Sequence, residues 1–294
     1  MKAAPFEYYR PADIDEACAM LAADDSARVI AGGQTLVPMM AMRLARPTKL
    51  IDINRIVGLS YIRADGDTVA VGATTRQCVI ERDATISAKV PLLAGAVPHI
   101  GYAATRARGT IGGSLANADP AAECALIAIT LDASLSYRAG GETGDIPARD
   151  FFIGPMITTL PAGAVLAGVR FPVWRGKVGV GFHEVNARRS DFAFVSAAAQ
   201  VELGADGKCK RIVIGVGAAT DFPMRLDSAE RQLTGSTLAD AAVKAAVTEA
   251  LADIDPLADL HASAEYRRRV AINLAARAVA DARSDALGSK SHAH

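Results

Sequence analysis

The chain of 294 residues carries 32 Lys plus Arg against 32 Asp plus Glu, and 51% of its residues are hydrophobic, many of them Ala. This length predicts about two domains, and the zero formal net charge argues against a nucleic-acid-binding protein, which usually has a basic excess. No stretch approaches the ~20 uninterrupted apolar residues of a transmembrane helix, and the N-terminus lacks the apolar core of a secretion signal. We therefore expect a cytoplasmic protein with no transmembrane segment.

Helical and strand patterns alternate along the first part of the chain. Ile14, Cys18 and Leu21 share one face of a predicted helix that Asp13 can cap. The other elements predicted here are strands over 28–31, 49–53, 68–73, 133–137 and 165–171, helices over 36–44, 91–100 and 120–131, and a sharp turn at 109–114. We expect Pro120 in the first turn of its helix, where proline is favoured.

A polar, Gly-containing connection at 174–177 marks the predicted domain boundary. The elements predicted beyond it are strands over 178–184, 192–203 and 211–216 and helices over 226–233, 238–251 and 263–282. Strands followed by helices predict an α+β layout. We therefore divide the chain into a first domain, 1–177, a second domain, 178–284, and a flexible tail, 285–294.

The four cysteines lie far apart and form no Cys-x-x-Cys pair: Cys18, Cys78, Cys124 and Cys209. This spacing predicts neither a disulfide framework nor an iron–sulfur cluster in this chain. The histidines are isolated or lie in the polar tail, so we predict no metal site. No Ser, Cys or His constellation for nucleophilic catalysis is apparent, and we assign no catalytic residue.

Two segments contain an adjacent pair of glycines. Residues 31–36 have the sequence Ala-Gly-Gly-Gln-Thr-Leu, and residues 110–115 have the sequence Thr-Ile-Gly-Gly-Ser-Leu. Adjacent glycines permit positive φ and remove the Cβ atoms that would keep a ligand at a distance. Consecutive N–H groups in such a turn bind anions, and a helix that begins directly afterwards adds partial positive charge. Two such segments could share one pyrophosphate, although each pair could equally be only a tight turn.

Neither segment has the glycine spacing of the Rossmann or P-loop nucleotide-binding motifs. The residues alone therefore indicate a ligand that contains a diphosphate group, without identifying it.

Longer motifs surround both glycine pairs and continue almost to the end of the chain. They are Val-Ile-Ala-Gly-Gly-Gln-Thr-Leu-Val-Pro-Met-Met at 29–40, Arg-Gly-Thr-Ile-Gly-Gly-Ser-Leu-Ala-Asn-Ala-Asp-Pro-Ala-Ala-Glu at 108–123, and shorter runs at 43–47, 50–54, 150–154, 184–185, 191–193 and 259–267. In type and order these motifs resemble the FAD-binding medium subunit of molybdenum hydroxylases of the carbon monoxide dehydrogenase and xanthine dehydrogenase type.

This resemblance implies an α+β fold with an FAD-binding domain of two subdomains, like that of vanillyl-alcohol oxidase, and a C-terminal α+β domain with a small antiparallel sheet and helices. It also implies that residues 29–36 and 110–114 wrap the FAD pyrophosphate. The residues it places at the cofactor are Val29, Ile30, Ala31, Gly32, Gly33, Gln34, Thr35, Leu36, Thr110, Ile111, Gly112, Gly113, Ser114, Asn117, Asp119, Glu123, Leu166, His183 and Phe192. His183 lies where the xanthine dehydrogenase branch has a lysine, and Phe192 lies where the family has an aromatic residue near the flavin ring.

The resemblance assigns the other cofactors to partner chains. A large subunit would carry the molybdenum cofactor and a small subunit two [2Fe–2S] clusters, with a dimer of heterotrimers as the implied assembly. Electrons would pass from the clusters to FAD in this chain and on to an external acceptor. Two alternatives stay open: a self-sufficient FAD-dependent oxidase or dehydrogenase with its own substrate pocket, and a non-catalytic nucleotide-binding protein.

Two charged features have ordinary explanations. The basic run Arg267, Arg268 and Arg269 on a predicted helix favours a solvated face, with a docking surface as the alternative. Asp119 and Glu123 lie at a predicted helix start, which favours capping and cofactor contact over acid–base catalysis.

Overall fold

The chain begins with a small parallel sheet in the computed structural model, which describes residues 2–288. The elements of this part are β1 (Glu7–Tyr9), α1 (Ile14–Ala22), β2 (Arg28–Ile30), α2 (Leu36–Ala41) and β3 (Lys49–Asp52). β3 lies between β1 and β2, and both pairings are parallel. Asp13 caps α1, as predicted, by accepting a hydrogen bond from the N–H of Glu16 at 2.9 Å.

A five-stranded antiparallel sheet and a group of short helices follow. Their elements are β4 (Ile62–Asp65), β5 (Thr68–Gly72), α3 (Gln77–Ile80), α4 (Ala84–Lys89), α5 (Pro91–Ala96), α6 (Ala103–Arg106), α7 (Ile111–Asn117), α8 (Glu123–Thr130), β6 (Ser134–Ala139), β7 (Glu142–Pro147), α9 (Ala148–Phe151), β8 (Phe152–Gly154), β9 (Ile157–Thr158) and β10 (Val165–Pro172). The sheet has the order β4–β5–β10–β6–β7, and β8 pairs with β9 in a separate hairpin. This sheet and the helices around α8 enclose the largest hydrophobic core, in which Phe151 and Phe171 are fully buried.

The last part is a four-stranded antiparallel sheet with three helices. Its elements are β11 (Lys177–Val185), β12 (Val195–Leu203), β13 (Cys209–Gly217), β14 (Met224–Arg225), α10 (Asp227–Leu233), α11 (Asp240–Ala250) and α12 (Ala264–Ala286). The strands lie in sequence order. Every residue of β12 is buried, because α12 packs on one face of the sheet while α5 and α8 pack on the other. The α+β prediction is therefore confirmed.

Small residues let α12 approach this sheet at backbone distance. A Cβ on Gly181 would lie 2.1 Å from the carbonyl oxygen of Ala278, and one on Gly179 would lie 2.1 Å from that of Ala282. Both alanines are fully buried. This close packing fixes β11, which carries one of the predicted site residues.

An ion-pair network joins the five-stranded sheet region to the last part of the chain. Arg149 donates to both carboxylate oxygens of Asp227, at 2.8 and 2.9 Å, and to Asp132 at 2.5 Å. Asp132 also accepts a hydrogen bond from Arg225. The network therefore holds α9 and the start of β6 against β14 and α10.

Three of the predicted features are wrong in detail. The expected sharp turn at 109–114 is largely helical, because α7 begins at Ile111 after the cap residue Thr110. Pro120 precedes α8 instead of lying in its first turn. α12 continues through Ala286, so the predicted tail begins as helix, and residues 289–294 of that tail lie outside the described residues.

No helix within residues 2–288 combines the length and the apolar character that a membrane crossing requires. Over the same range, no group of three or more His, Cys, Asp and Glu side chains has an arrangement that could hold a metal ion. All four cysteines are free thiols.

Candidate functional site

The carboxyl ends of the three parallel strands meet at one edge of the first sheet, the edge at which parallel sheets commonly bind ligands. A cleft of about 410 Å³ opens there. Its lining residues are Tyr8, Ile30, Ala31, Gly32, Gly33, Gln34, Val37, Pro38, Asp52, Asn54 and Arg108. The structure therefore brings residues 30–34 of the predicted site together in one cleft.

The two glycines of the first glycine segment, residues 31–36, have different roles. Gly33 has a φ of 71°, a left-handed conformation that L side chains rarely adopt. Gly32 is buried, and a Cβ there would lie 2.4 Å from the carbonyl oxygen of Arg108 and 2.9 Å from the Cα of Gly109. Gly33 thus makes the turn, and Gly32 lets the segment pack against the chain that leads into α7.

The backbone of this segment presents N–H groups that have no acceptor among the described residues. From Gly32 to Thr35, none of the four N–H groups donates a hydrogen bond within residues 2–288. The carbonyls beside them are held, Ala31 O by Asn54 Nδ2 at 2.8 Å, Gly32 O by Gln34 Nε2 at 3.1 Å and Gly33 O by the Val37 N–H at 3.0 Å. A row of unpaired N–H groups beside a cleft is suited to binding an anion.

The second glycine segment, residues 110–114, is built differently from the prediction. Ile111 N–H donates to Thr75 O at 3.1 Å and Gly112 N–H to Ala73 O at 2.9 Å. The N–H of Gly113 donates to the Thr110 hydroxyl at 3.1 Å, and that of Ser114 to the Thr110 carbonyl at 3.1 Å. The backbone donors from 111 to 114 are therefore all paired within the chain, unlike those of the first segment.

Part of this second segment serves packing. Ile111 is fully buried, and a Cβ on Gly112 would lie 2.5 Å from the Cβ of Ala73. Gly113 is exposed, and Ser114 and Asn117 are half-buried on the outer side of α7. Among the predicted site residues of α7, Gly113, Ser114 and Asn117 are therefore the ones that reach the surface.

Acidic side chains cluster where α8 begins. Burial, together with smaller contributions from the nearby charges of Glu184 and Asp119, raises the pKa of Glu123 to about 8. Burial also raises the pKa of Asp119, whose Oδ1 accepts the Ala121 N–H at 2.9 Å. Glu184 lies near the C-terminal end of β11, so that end of the strand is close to the start of α8.

The raised pKa of Glu123 should make the free energy of unfolding depend on pH. Between its ordinary value of 4.5 and about 8, the folded chain holds a proton that the unfolded chain has released. Stability should therefore fall as pH rises from 6 to 8, by about 1.4 kcal/mol per pH unit from this group. Urea unfolding of the FAD-free chain at pH 6, 7 and 8 should show that Glu123→Gln removes this slope.

The matched control is Glu265→Gln, which changes an exposed glutamate in the first turn of α12. This variant should keep the wild-type slope. Equal slopes in wild type and Glu123→Gln would show that Glu123 is already ionised at pH 7.

The remaining predicted residues lie on separate elements. Leu166 on β10 is only 5% exposed and belongs to the main core. His183 on β11 faces α12, where its Nε2 lies 2.7 Å from Asp281 Oδ2, and burial lowers the pKa of this imidazole despite that carboxylate. Phe192 is 71% exposed in the loop before β12. None of these three lines the cleft of the first segment.

Sequence reasoning missed the side chains that support the first glycine segment. Asn54 contacts Ala31 and Asp52, and Arg76 donates to Asn54 Oδ1 at 2.7 Å and to the carbonyl of Arg108. A usable signal was present, because Asp52 and Asn54 lie at the end of β3 and just beyond it, at the same sheet edge as the glycines. No sequence feature marks Arg76, because only the fold brings it to this edge of the sheet.

Comparison with known proteins decides the family. The family model described as the FAD binding domain in molybdopterin dehydrogenase matches residues 4–174. A second model, the CO dehydrogenase flavoprotein C-terminal domain, matches residues 181–282. The chain belongs to the FAD-binding medium subunits of molybdenum hydroxylases.

Whole-length relatives agree with this assignment. The 6-hydroxypseudooxynicotine dehydrogenase complex subunit alpha of Paenarthrobacter nicotinovorans is 36% identical over 283 residues, 96% of each chain. A solved structure of carbon monoxide dehydrogenase from Hydrogenophaga pseudoflava matches with a TM-score of 0.93 and 32% identity, covering 97% of this chain and 99% of that one. Quinoline 2-oxidoreductase from Pseudomonas putida 86 matches with a TM-score of 0.92 and 32% identity, covering 98% and 99%.

The predicted medium-subunit family and the FAD-binding domain are therefore confirmed. The first glycine segment fits the pyrophosphate of FAD, because its N–H groups lack acceptors and Gly33 places no Cβ over them. Phosphate oxygens accept such backbone hydrogen bonds strongly. The individual cofactor contacts stay predictions.

Proposed function

We propose that this medium subunit takes electrons from the [2Fe–2S] clusters of a small subunit and passes them to an external acceptor. The observation that carries the proposal is the row of unpaired N–H groups beside the cleft, which is built to hold the diphosphate of a dinucleotide. When bound, FAD supplies the conversion between one-electron and two-electron transfer, while the protein binds and orients it.

Each part of the site has a proposed task. Residues 29–36, which include the first glycine segment, hold the pyrophosphate through their backbone. Gly113, Ser114 and Asn117 add contacts from the outer side of α7. Asp119 and Glu123 shape the polar boundary of the flavin site, with Leu166, His183 and Phe192 toward the flavin ring. The structural division that goes with these tasks is an FAD-binding domain over 1–177 and a second domain over 178–284.

The proposed assembly contains a large subunit with the molybdenum cofactor and a small subunit with the clusters, arranged as a dimer of heterotrimers in the cytoplasm. Its support is that relatives bear the names complex subunit, medium subunit and medium chain. The scattered free cysteines of this chain are consistent with iron–sulfur clusters on another chain.

Anaerobic reduction tests whether the organic substrate is oxidised on a partner subunit and not on this chain. The FAD-loaded chain alone should keep its oxidised flavin absorption when mixed with nicotine, caffeine, quinoline or glyceraldehyde, compounds in the names of relatives. Dithionite should bleach it, which shows that the flavin is reducible. The complex with both partner subunits should be reduced by its own organic substrate.

Bleaching of the isolated chain by one of the organic compounds would contradict the proposal. That outcome would support a self-sufficient flavin oxidase or dehydrogenase instead.

A further inference from the structure

A chain of hydrogen-bonded side chains lies directly behind the first glycine segment. Asn54 Nδ2 donates to the carbonyl of Ala31 at 2.8 Å and to Asp52 Oδ1 at 2.6 Å. Arg76 Nη2 donates to Asn54 Oδ1 at 2.7 Å, and Arg76 Nη1 donates to the carbonyl of Arg108. Arg76 therefore contacts both Asn54, which is hydrogen-bonded to the first glycine segment, and the backbone that leads into the second glycine segment.

The contact to Ala31 fixes the direction of a neighbouring N–H group. In a trans peptide the C=O and the following N–H point in opposite directions. Because Asn54 holds the Ala31 carbonyl, the N–H of Gly32 must point away from Asn54. This N–H is the first of the four that have no acceptor in the described chain.

Arg76 determines which end of the Asn54 amide faces Ala31. An arginine side chain has only donors, so it can bond only the oxygen of that amide. The Nδ2 group is then left to face the carbonyl of Ala31, where a donor is needed. Both side chains are half-buried, which limits their exchange for water.

The Arg76 guanidinium also holds the backbone carbonyl against which Gly32 packs. The carbonyl oxygen of Arg108 accepts from Arg76, and it is the atom that a Cβ on Gly32 would approach to 2.4 Å. A displacement of this carbonyl would therefore move the first glycine segment as well.

We propose that Asn54 and Arg76 are positioning residues that orient the N–H groups of the first glycine segment toward the FAD pyrophosphate. This inference rests on the proposed function, because it requires the diphosphate to lie on that segment. Asn54 acts through the Ala31–Gly32 peptide, and Arg76 acts through Asn54 and Arg108.

The test is an FAD titration of the flavin-free full-length chain carrying Asn54→Asp. Aspartate keeps the size of the side chain and its contact with Arg76, but presents an oxygen to the Ala31 carbonyl and repels it. We expect FAD affinity to fall about tenfold, the loss typical of a misplaced charge-assisted hydrogen bond. The ³¹P resonances of bound FAD should shift. Because the new carboxylate also faces Asp52 Oδ1, the Tm of the flavin-free chain should fall slightly, whereas a role in folding alone would leave the ³¹P resonances unchanged.

A second variant and a control keep the result interpretable. Arg76→Lys retains the charge but lacks the fork that reaches two acceptors, so it should also weaken FAD binding and shift the ³¹P resonances. Asn273→Asp makes the same chemical change at an exposed position of α12 and should leave both readouts unchanged.

Wild-type FAD affinity and ³¹P spectra in both Asn54→Asp and Arg76→Lys would overturn the inference while leaving the proposed function intact. A wild-type chain that binds no FAD would overturn both. Weaker binding with unshifted ³¹P resonances in both variants would also overturn it, because the residues would then serve folding alone.

Discussion

Gly32→Ala should lower the affinity of the flavin-free chain for FAD about a hundredfold, which corresponds to ~2.7 kcal/mol. The added Cβ would lie 2.4 Å from the carbonyl oxygen of Arg108 and 2.9 Å from the Cα of Gly109, both of them backbone atoms. Overpacking of this kind forces backbone shifts that cost about 1–3 kcal/mol. The first glycine segment would then move away from α7, and its N–H groups would be displaced.

The control for this variant is Gly95→Ala in α5. A Cβ on Gly95 has no neighbour within 4 Å, so that variant should bind FAD as the wild type does. Fluorescence titration with FAD and circular dichroism of each flavin-free protein separate lost binding from lost folding. Wild-type affinity in Gly32→Ala would show that the two segments need no close contact to hold the cofactor.

Arg267→Met should lower the free energy of unfolding by about 3 kcal/mol. Arg267 is 4% exposed and donates to Ala218 O at 3.0 Å, to Asp259 Oδ2 at 2.6 Å and to Phe194 O. Methionine fills most of the space but leaves the buried carbonyl of Ala218 and the partly buried carbonyl of Phe194 without this donor. Urea unfolding followed by circular dichroism measures the change.

Arg269→Met is the matched control two residues further along the same helix. Arg269 is exposed and lies over the ring of Tyr266 at 5.6 Å, so its replacement should change stability by less than about 0.5 kcal/mol. Equal losses in the two variants would mean that the buried hydrogen bonds of Arg267 contribute no more than a surface contact.

The sequence does not reveal which of these arginines is buried. Both interpretations of the basic run, a solvated face and a docking surface, are wrong for Arg267, which is buried. Two of its three acceptors, the carbonyls of Phe194 and Ala218, lie at the ends of strands far away in the sequence. The run of three arginines does not show which side chain faces inward, because the inward face is determined by how α12 packs on its sheet.

The glycine pairs were predicted in part. The first pair forms a turn with unpaired N–H groups, as its sequence indicated, and Gly33 takes the positive φ expected of it. The second pair lies inside α7, because Gly112 must pass close to Ala73. Glycine is a poor helix former, so local propensity favoured a turn where tertiary packing requires a helix.

Longer elements with a clear apolar pattern were predicted well. The strands that became β11, β12 and β13 and the helices that became α11 and α12 were found from periodicity and turn residues. Short elements such as β1 and α6 were missed, because three or four residues show no period. The motifs carried the family assignment, whereas the supporting contacts of Asn54 and Arg76 depend on side chains that only the fold brings together.

Titration of the flavin-free, full-length chain with FAD and with FMN tests whether the first glycine segment holds the diphosphate of FAD. We expect one FAD per chain and binding of FMN at least about tenfold weaker, because FMN lacks the diphosphate that we propose the first glycine segment holds. A chain that takes up no FAD, or one that binds FMN as tightly as FAD, would contradict it.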